Sequence, residues 1–211
     1  MTPPLPRRRQ KFWSLVVEHL VLASGSPRRL ALLRSLGFDP EVRVPPVDET
    51  PLPGETPAAL VERLALAKLR SVVIHGEVGV AADTVVVIDD EILGKPDSTD
   101  EAMVMLNNLS GRTHEVVGGL AVRRGDHDVS GVVRTQVTFR SLSEQEIVDY
   151  IATGEPMDKA GAYAIQGLGG AFVTELSGCR DNVVGLSLGA FSGLYQALGG
   201  QLPVGPGGTS R

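Results

Sequence analysis

The sequence predicts an α/β fold with a mixed sheet, and three observations support this. Apolar strand-like segments alternate with helical segments in the first half of the chain. Residues 114–123 and 129–139 then flank Gly125-Asp126-His127 in the pattern of a long antiparallel hairpin. Of the 211 residues, 42% are hydrophobic and 21% are charged, which is typical of a chain that can bury a full core.

The elements follow from apolar periodicity and from residues that cap helices or make turns. Ser26 and Thr56 suit helix N-caps, Ser143 to Glu146 form a capping box, and Asp89-Asp90 suits a hairpin turn. Predicted helices cover residues 27–36, 57–74, 99–109, 143–153 and 187–198. Predicted strands cover residues 20–23, 41–44, 78–88, 114–123, 129–139 and 171–176.

Composition limits the domain organisation and the partners. We expect a disordered basic extension at residues 1–18, one two-lobed domain at residues 19–198 and a flexible Gly/Pro-rich tail at residues 199–211. The net charge is -5, and the first thirteen residues contribute +4, which leaves -9 for the rest. A domain with this much negative charge is a poor general binder of nucleic acid.

Cysteine content and hydropathy indicate the compartment. The single Cys179 excludes an intrachain disulfide and fits a reducing environment. No apolar run approaches the roughly 18–20 residues that span a bilayer, and residues 1–11 lack the apolar core of a secretory signal. We therefore expect a cytoplasmic protein without a membrane partner.

Arg28 and Arg29 are the first candidates for a binding site. They lie in the first turn of the first helix, where the helix dipole disfavours positive charge by roughly 0.3–1 kcal/mol per residue. The misfit disappears if an anion binds the free N–H groups at that helix end, and two forked guanidiniums suit a phosphate chain. Two solvated arginines on an exposed turn are the alternative.

Two acids are the next candidates. Asp83 interrupts an apolar strand, where a charge is costly unless it is paired, hydrogen-bonded or metal-bound, or points outward from an edge strand. Glu49 lies in a proline-stiffened loop, where a solvated acid is the default. Near a phosphate-binding helix end, two carboxylates could hold Mg²⁺, or one could orient water.

Three further residues have both a functional and a structural interpretation. Lys68 lies on the second helix and Lys95 in a Gly-Lys-Pro turn, and each would ordinarily be a surface lysine. Gln166 lies in an apolar segment, where its amide can read a base edge or satisfy a backbone group.

Several motifs of other enzyme classes fail. Residues 185–189 fit the nucleophile-elbow pattern, but no acid or histidine follows Ser187 to complete a triad in that order. The chain has no Walker A loop and no G-x-G-x-x-G fingerprint, and its four histidines lack metal-ligand spacing.

Taken in order, the motifs resemble the Maf family of nucleoside triphosphate pyrophosphatases over about residues 20–198. The blocks that carry the resemblance are Ala23-Ser24-Gly25-Ser26-Pro27-Arg28-Arg29, Val47-Asp48-Glu49, Ala65-Leu66-Ala67-Lys68, Ala82-Asp83-Thr84-Val85-Val86, Leu93-Gly94-Lys95-Pro96, Leu109-Ser110-Gly111-Arg112-Thr113-His114, Lys159-Ala160-Gly161-Ala162-Tyr163-Ala164-Ile165-Gln166-Gly167 and Asn182-Val183-Val184-Gly185-Leu186.

The resemblance implies a two-lobed α/β fold of the Maf/Ham1 (ITPase-like) type, with a deep cleft between lobes. It implies hydrolysis of a nucleoside triphosphate between the α and β phosphates with a divalent cation, Mg²⁺ or Mn²⁺. Asp83 would be the proton acceptor and, with Glu49, a metal ligand. Glu49 and Lys95 would also take part in catalysis. Ser24, Arg29 and Lys68 match further cleft residues of the family, which handle phosphate and metal.

The resemblance also implies a substrate class. Arg28, Thr84 and Gln166 match the branch of the family that prefers dTTP and UTP over 7-methyl-GTP. A glutamine amide carries a donor and an acceptor, which matches the imide edge of thymine or uracil. The alternative is a non-catalytic nucleotide-binding regulator of septum formation and cell division. A homodimer is compatible with either function.

Overall fold

A computed structural model describes residues 18–203, which form six helices and seven strands. The strands are β1 (Leu20–Leu22), β2 (Glu41–Val42), β3 (Val78–Ile88), β4 (Glu91–Leu93), β5 (Thr113–Arg124), β6 (His127–Phe139) and β7 (Val173–Ser177). The helices are α1 (Pro27–Ser35), α2 (Pro57–Val72), α3 (Thr99–Leu109), α4 (Glu144–Ala152), α5 (Arg180–Val184) and α6 (Leu188–Ala197). Short 3-10 turns cover Glu155–Asp158, Ala160–Ala162 and Leu168–Phe172.

The predicted terminal segments fall mostly outside the described residues. Of the basic extension at residues 1–18 the structure describes only Glu18, and of the tail at residues 199–211 it describes only 199–203. Within the described range, none of the helices has both the length and the apolar character needed to cross a bilayer.

All seven strands belong to one mixed sheet, which confirms the predicted fold class. The order is β2-β1-β3-β5-β6-β7, with β4 also paired to β3. β1 is parallel to both β2 and β3, whereas the pairs β3–β4, β3–β5, β5–β6 and β6–β7 are antiparallel. The predicted hairpin of β5 and β6 is present over twelve paired positions.

One edge of β3 is interrupted at its middle, and this interruption determines where the site lies. Residues 78–80 pair with β1 and residues 86–88 pair with β4 on that edge. Between them, residues 81–85 have a described strand partner only on the β5 side. A cleft opens at this gap, next to the carboxyl end of β1.

The hydrophobic core is divided into groups that lie on the two faces of the sheet. Helix α2 covers one face of the sheet, with Ala65 and Leu69 packed on residues of β1, β3 and β5. On the other face, α1 and α6 pack over the beginning of β3, around Leu33 and Phe191. Helices α3 and α4 pack over the end of β3, and Leu106 lies in that group.

Helix α2 lies very close to the sheet at Gly119 of β5. A Cβ atom on Gly119 would lie 2.2 Å from the carbonyl oxygen of Val61 in α2, so no larger residue fits without movement. Gly119 is the register partner of Asp83 in β3. The glycine therefore seats α2 directly over the strand pair that carries the candidate acid.

Some local predictions needed correction; strand β2, for example, ends at Val42 and not at residue 44. Helix α5 was not predicted, because its five residues are too few to show periodicity and its N-cap residue makes no side-chain cap hydrogen bond. The last strand was expected from residue 171 but begins at Val173, because residues 168–172 form a 3-10 turn.

Candidate active site

The cleft at the gap in β3 has a volume of about 730 Å³, and every candidate residue lines it. The candidates come from the start of α1, the loop after β2, helix α2, strand β3, the turn after β4 and the segment before the 3-10 turn at 168–172. They are Ser24, Arg28, Arg29, Glu49, Lys68, Asp83, Thr84, Lys95 and Gln166. The tertiary fold thus brings together residues separated by as many as 142 positions in the sequence.

Arg29 is held rigidly in the wall of the cleft. Its Nη1 donates to the Oγ of Ser24 at 3.0 Å, and its Nε donates to the carbonyl oxygen of Gly185 at 2.9 Å. Its Nη2 donates to the Oγ1 of Thr84 at 3.3 Å. Burial lowers the pKa of the Arg29 guanidinium below its ordinary value. A fixed cation in a partly dry site is well suited to binding an anion.

Arg28 forms a bridge to the opposite side of the cleft. Its Nη1 donates to the Oδ2 of Asp158 at 2.9 Å, and Lys159 also pairs with that carboxylate. Burial of Asp158 tends to raise the pKa of its carboxyl, but the hydrogen bonds and charges of Lys159 and Arg28 hold that pKa below its ordinary value. Lys159 also donates to the carbonyl oxygen of Glu155 at 2.7 Å.

Asp158 and Lys159 line the cleft, although sequence reasoning assigned neither of them a role. The available signal was the position of Lys159 at the start of the glycine-rich block that carried part of the family resemblance. Its side chain is 13% exposed, so it is not an ordinary surface lysine.

Lys68 lies between the two candidate acids. Its Nζ is 2.6 Å from the Oδ1 of Asp83 and 2.5 Å from the Oε1 of Glu49. Lys68 and Asp83 are both only 6% exposed. The default interpretation of Lys68 as a surface residue is therefore wrong, because it lies on the face of α2 that packs against the sheet. Asp83 is likewise buried and paired rather than turned outward.

Glu49 is half-exposed at the mouth of the cleft. Burial alone would raise the pKa of its carboxyl, but the hydrogen bond from Lys68 and the charges of Lys68, Lys95 and Arg29 outweigh that effect. The pKa of Glu49 therefore lies below its ordinary value, and the carboxylate is ionised at neutral pH.

Glu49 and Asp83 are suitable ligands for a hard divalent cation. Both carboxylates contact the same positive group, the Lys68 ammonium. Their negative charges therefore lie close together in the cleft. Mg²⁺ in proteins is commonly held by one or two carboxylates, with phosphate oxygens and water completing its shell. Across residues 18–203, no cluster of three or more His, Cys, Asp or Glu side chains is arranged as a metal site.

Lys95 and Gln166 lie at the exposed rim. Lys95 follows β4, and its charge contributes to the lowered pKa of Glu49. Gln166 lies near the tip of the turn that begins at Ala164, with its side chain exposed on the cleft. Both are accessible to a ligand that enters from solvent.

The fold and the cleft define a class of protein: a mixed α/β protein with a cleft that is lined by several cations and also contains a buried carboxylate. The charged side chains that line the cleft are five cations and three carboxylates, namely Arg28, Arg29, Lys68, Lys95 and Lys159 against Glu49, Asp83 and Asp158. Several fixed cations around one cavity favour a ligand with several negative charges.

The chain belongs to the Maf family: the family described as Maf-like protein matches residues 19–198. The chain is 50% identical over 174 residues to the dTTP/UTP pyrophosphatase of Symbiobacterium thermophilum, covering 82% of this chain and 90% of that protein. It is 50% identical over 188 residues to the dTTP/UTP pyrophosphatase of Anaeromyxobacter dehalogenans, covering 87% and 96%. Among solved structures, a HAM1 protein from Coxiella burnetii matches 85% of this chain and 99% of its own, at 15% identity and a TM-score of 0.47.

Proposed function

We propose that this protein is a nucleoside triphosphate pyrophosphatase that hydrolyses dTTP and UTP to the monophosphate and pyrophosphate, and so removes such nucleotides from the cytoplasmic pool. The observation that carries the proposal is the location of Asp83, a buried carboxylate in the same cleft as Arg29, Lys68 and Lys95. The similarity to proteins named dTTP/UTP pyrophosphatase supports the substrate assignment.

The proposed reaction begins with attack of water on the α-phosphorus. The bond from that phosphorus to the α–β bridging oxygen breaks, and its electron pair leaves with pyrophosphate. Asp83 accepts the proton of the attacking water, as a positioned general base. Arg29, Lys68 and Lys95 stabilise the negative charge that develops on the leaving group, and preorganised charges of this kind are usually the largest contribution to catalysis.

A divalent cation, Mg²⁺ or Mn²⁺, would be held by Glu49 and Asp83. When bound, it supplies charge neutralisation for the phosphate oxygens and polarises the phosphorus centre. For the metal to bind, Lys68 must share or release the two carboxylates, and the incoming phosphates offer its ammonium new acceptors.

Selection of the base is assigned to Gln166 with Arg28 and Thr84. The Gln166 amide can pair with the imide edge of thymine or uracil, because it offers both a donor and an acceptor. All three residues line the same cleft; Thr84 accepts a hydrogen bond from Arg29 at 3.3 Å, and Arg28 donates one to Asp158 at 2.9 Å. Replacing Gln166 by Glu should weaken selection for dTTP and UTP, whereas equal kcat/KM ratios across nucleotides in both proteins would refute the assignment.

The direct test is release of pyrophosphate by the purified protein with dTTP, UTP, CTP and modified pyrimidine nucleotides, with and without Mg²⁺ or Mn²⁺. We expect turnover of dTTP and UTP, and we expect this turnover to require the metal. Tight binding of dTTP with no pyrophosphate released would instead favour the alternative, a nucleotide-binding regulator of cell division. A homodimer is compatible with this function, and sedimentation would test it.

A further inference from the structure

The carboxylate of Glu155 is turned into the backbone of the segment that carries Gln166. Its Oε1 accepts hydrogen bonds from the Tyr150 hydroxyl at 2.8 Å and from the Gly169 amide at 3.1 Å. Its Oε2 accepts one from the Leu168 amide at 3.1 Å. These hydrogen bonds outweigh the effect of burial and hold the pKa of Glu155 below its ordinary value, so the carboxylate is charged when it binds these donors.

Tyr150 holds the other side of the same segment. Its hydroxyl donates to Glu155 and accepts from the Ala164 amide at 3.1 Å, while the residue is only 5% exposed. The segment closes on itself through a hydrogen bond from the Gly167 amide to the Ala164 carbonyl oxygen at 3.1 Å. Tyr150 and Glu155 therefore fix residues 164 and 168–169, which flank Gln166 on both sides.

Gly167 shows how closely the carboxylate approaches this turn. A Cβ atom at that position would lie 2.2 Å from the Oε2 of Glu155. The glycine after Gln166 therefore lets the carboxylate reach the backbone and bind two consecutive amides beyond it.

We propose that Glu155 and Tyr150 are positioning residues for base selection. They touch neither the candidate base Asp83 nor Lys68, and they act by fixing the backbone from which the Gln166 amide is presented. This inference rests on the proposed function of Gln166. Discrimination between bases requires donors and acceptors held at fixed positions, because a mobile amide can adapt to the wrong base edge.

The experiment compares Tyr150→Phe, Glu155→Gln and Glu155→Ala with the wild type, using dTTP and CTP. Phenylalanine keeps the ring and removes only the hydroxyl, and glutamine keeps one carbonyl acceptor. We expect the ratio of kcat/KM for dTTP over CTP to fall about fivefold to tenfold in Tyr150→Phe and Glu155→Ala. Glu155→Gln should lie between Glu155→Ala and the wild type. The loss should appear in KM for dTTP more than in kcat.

Glu144→Gln, an exposed substitution in the first turn of α4, is the matched control and should keep the wild-type ratio. A merely structural role would lower kcat/KM for both nucleotides equally, in step with the melting temperature, and that result would overturn the proposal. If Tyr150→Phe does not fold, Glu155→Gln gives the same comparison.

Gln166→Ala separates this inference from the function on which it rests. If Gln166→Ala changes the ratio and the Tyr150 and Glu155 variants do not, the positioning role is wrong and the proposed function stands. If Gln166→Ala leaves the ratio unchanged, both the base-reading role of Gln166 and this inference are wrong. Should the wild type release no pyrophosphate, the ratio of dissociation constants for dTTP and CTP decides the positioning role in the same way.

Discussion

The Nζ of Lys68 lies 2.6 Å from the Oδ1 of Asp83, and both side chains are buried where α2 packs over β3. Neither charge would be tolerated there alone, because an unpaired charge in a dry site loses its hydration without compensation. The pair therefore affects both stability and activity. The contact with Lys68 compensates the buried charge of Asp83, and it also places a cation beside the candidate base.

Removing Lys68 should destabilise the fold more than removing both partners. Lys68→Met leaves Asp83 as an uncompensated buried charge, and breaking such a pair on one side typically costs about 3–5 kcal/mol. The double variant Lys68→Met/Asp83→Asn should regain part of this loss, which urea unfolding at pH 7 would measure as a coupling free energy. Lys95→Met at the exposed rim should cost less than about 1 kcal/mol. Strictly additive effects of the two core substitutions would contradict the pairing.

Asp83→Asn should abolish pyrophosphate release and leave nucleotide binding largely intact. The amide cannot accept the water proton, and loss of a general base costs about 10²–10⁴-fold in rate. Single-turnover assays and calorimetric titration with dTTP separate the two quantities. Asp90→Asn, in the exposed hairpin turn after β3, is the matched control because asparagine tolerates its positive φ of 64°. Wild-type turnover by Asp83→Asn would exclude Asp83 as the base.

Stability should fall as the pH drops from 7 to 5 because of His114. The residue is 3% exposed, its Nε2 shares a hydrogen bond of 2.9 Å with the Tyr163 hydroxyl, and its Nδ1 has no partner among the described residues. Burial lowers the pKa of His114 to about 4. Between pH 6.5 and 4, His114 is therefore mostly protonated in the unfolded chain and mostly neutral in the folded chain.

The sign of that linkage makes stability rise with pH in this window. The loss attributable to His114 between pH 7 and 5 should be about 2 kcal/mol. Urea unfolding at the two pH values would measure it, and His114→Gln should remove that part of the slope. His127→Gln, at an exposed position in β6, should keep the wild-type slope. An unchanged slope in His114→Gln would show that other groups cause the pH dependence.

Gly119→Ala should reduce both stability and activity. The added methyl group would collide with the Val61 carbonyl oxygen, so α2 must move away from the strand pair that carries Asp83. Overpacking of this kind costs about 1–3 kcal/mol, and displacement of Lys68 should lower kcat. The matched control is Gly189→Ala in α6, where a Cβ would meet nothing within 4 Å. Full activity and stability in Gly119→Ala would show that α2 tolerates a wider spacing.

Local signals account for most of the secondary structure that could be predicted. The capping box of Ser143 and Glu146 forms as expected at the start of α4. Asp89 and Asp90 form the predicted hairpin turn, both with positive φ. These features depend on residues within a few positions of one another, so the order of residues in the chain is enough to indicate them.

The environment of Lys68 could not be predicted in the same way. Lys68 and Leu69 are buried against the sheet, whereas Ala67 beside them on α2 is half-buried. A rotation of the buried face by one residue is within the ambiguity of helical periodicity. Only the packing of α2 on β3 and β5 decides which of the adjacent residues is buried.

By itself, the sequence determined the fold class, the order of most elements and a set of nine candidate residues, since caps, periodicity and motif blocks depend on residues that are close together in the chain. The tertiary structure decided that these residues line one cleft, that Lys68 contacts both Glu49 and Asp83, and that Asp158 and Lys159 join them. It also decided that Glu155 and Tyr150 hold the turn of Gln166. The physical reason is that these contacts depend on how β1 and β4 share one edge of β3, and strand pairing between segments far apart in the chain leaves no local pattern in the sequence.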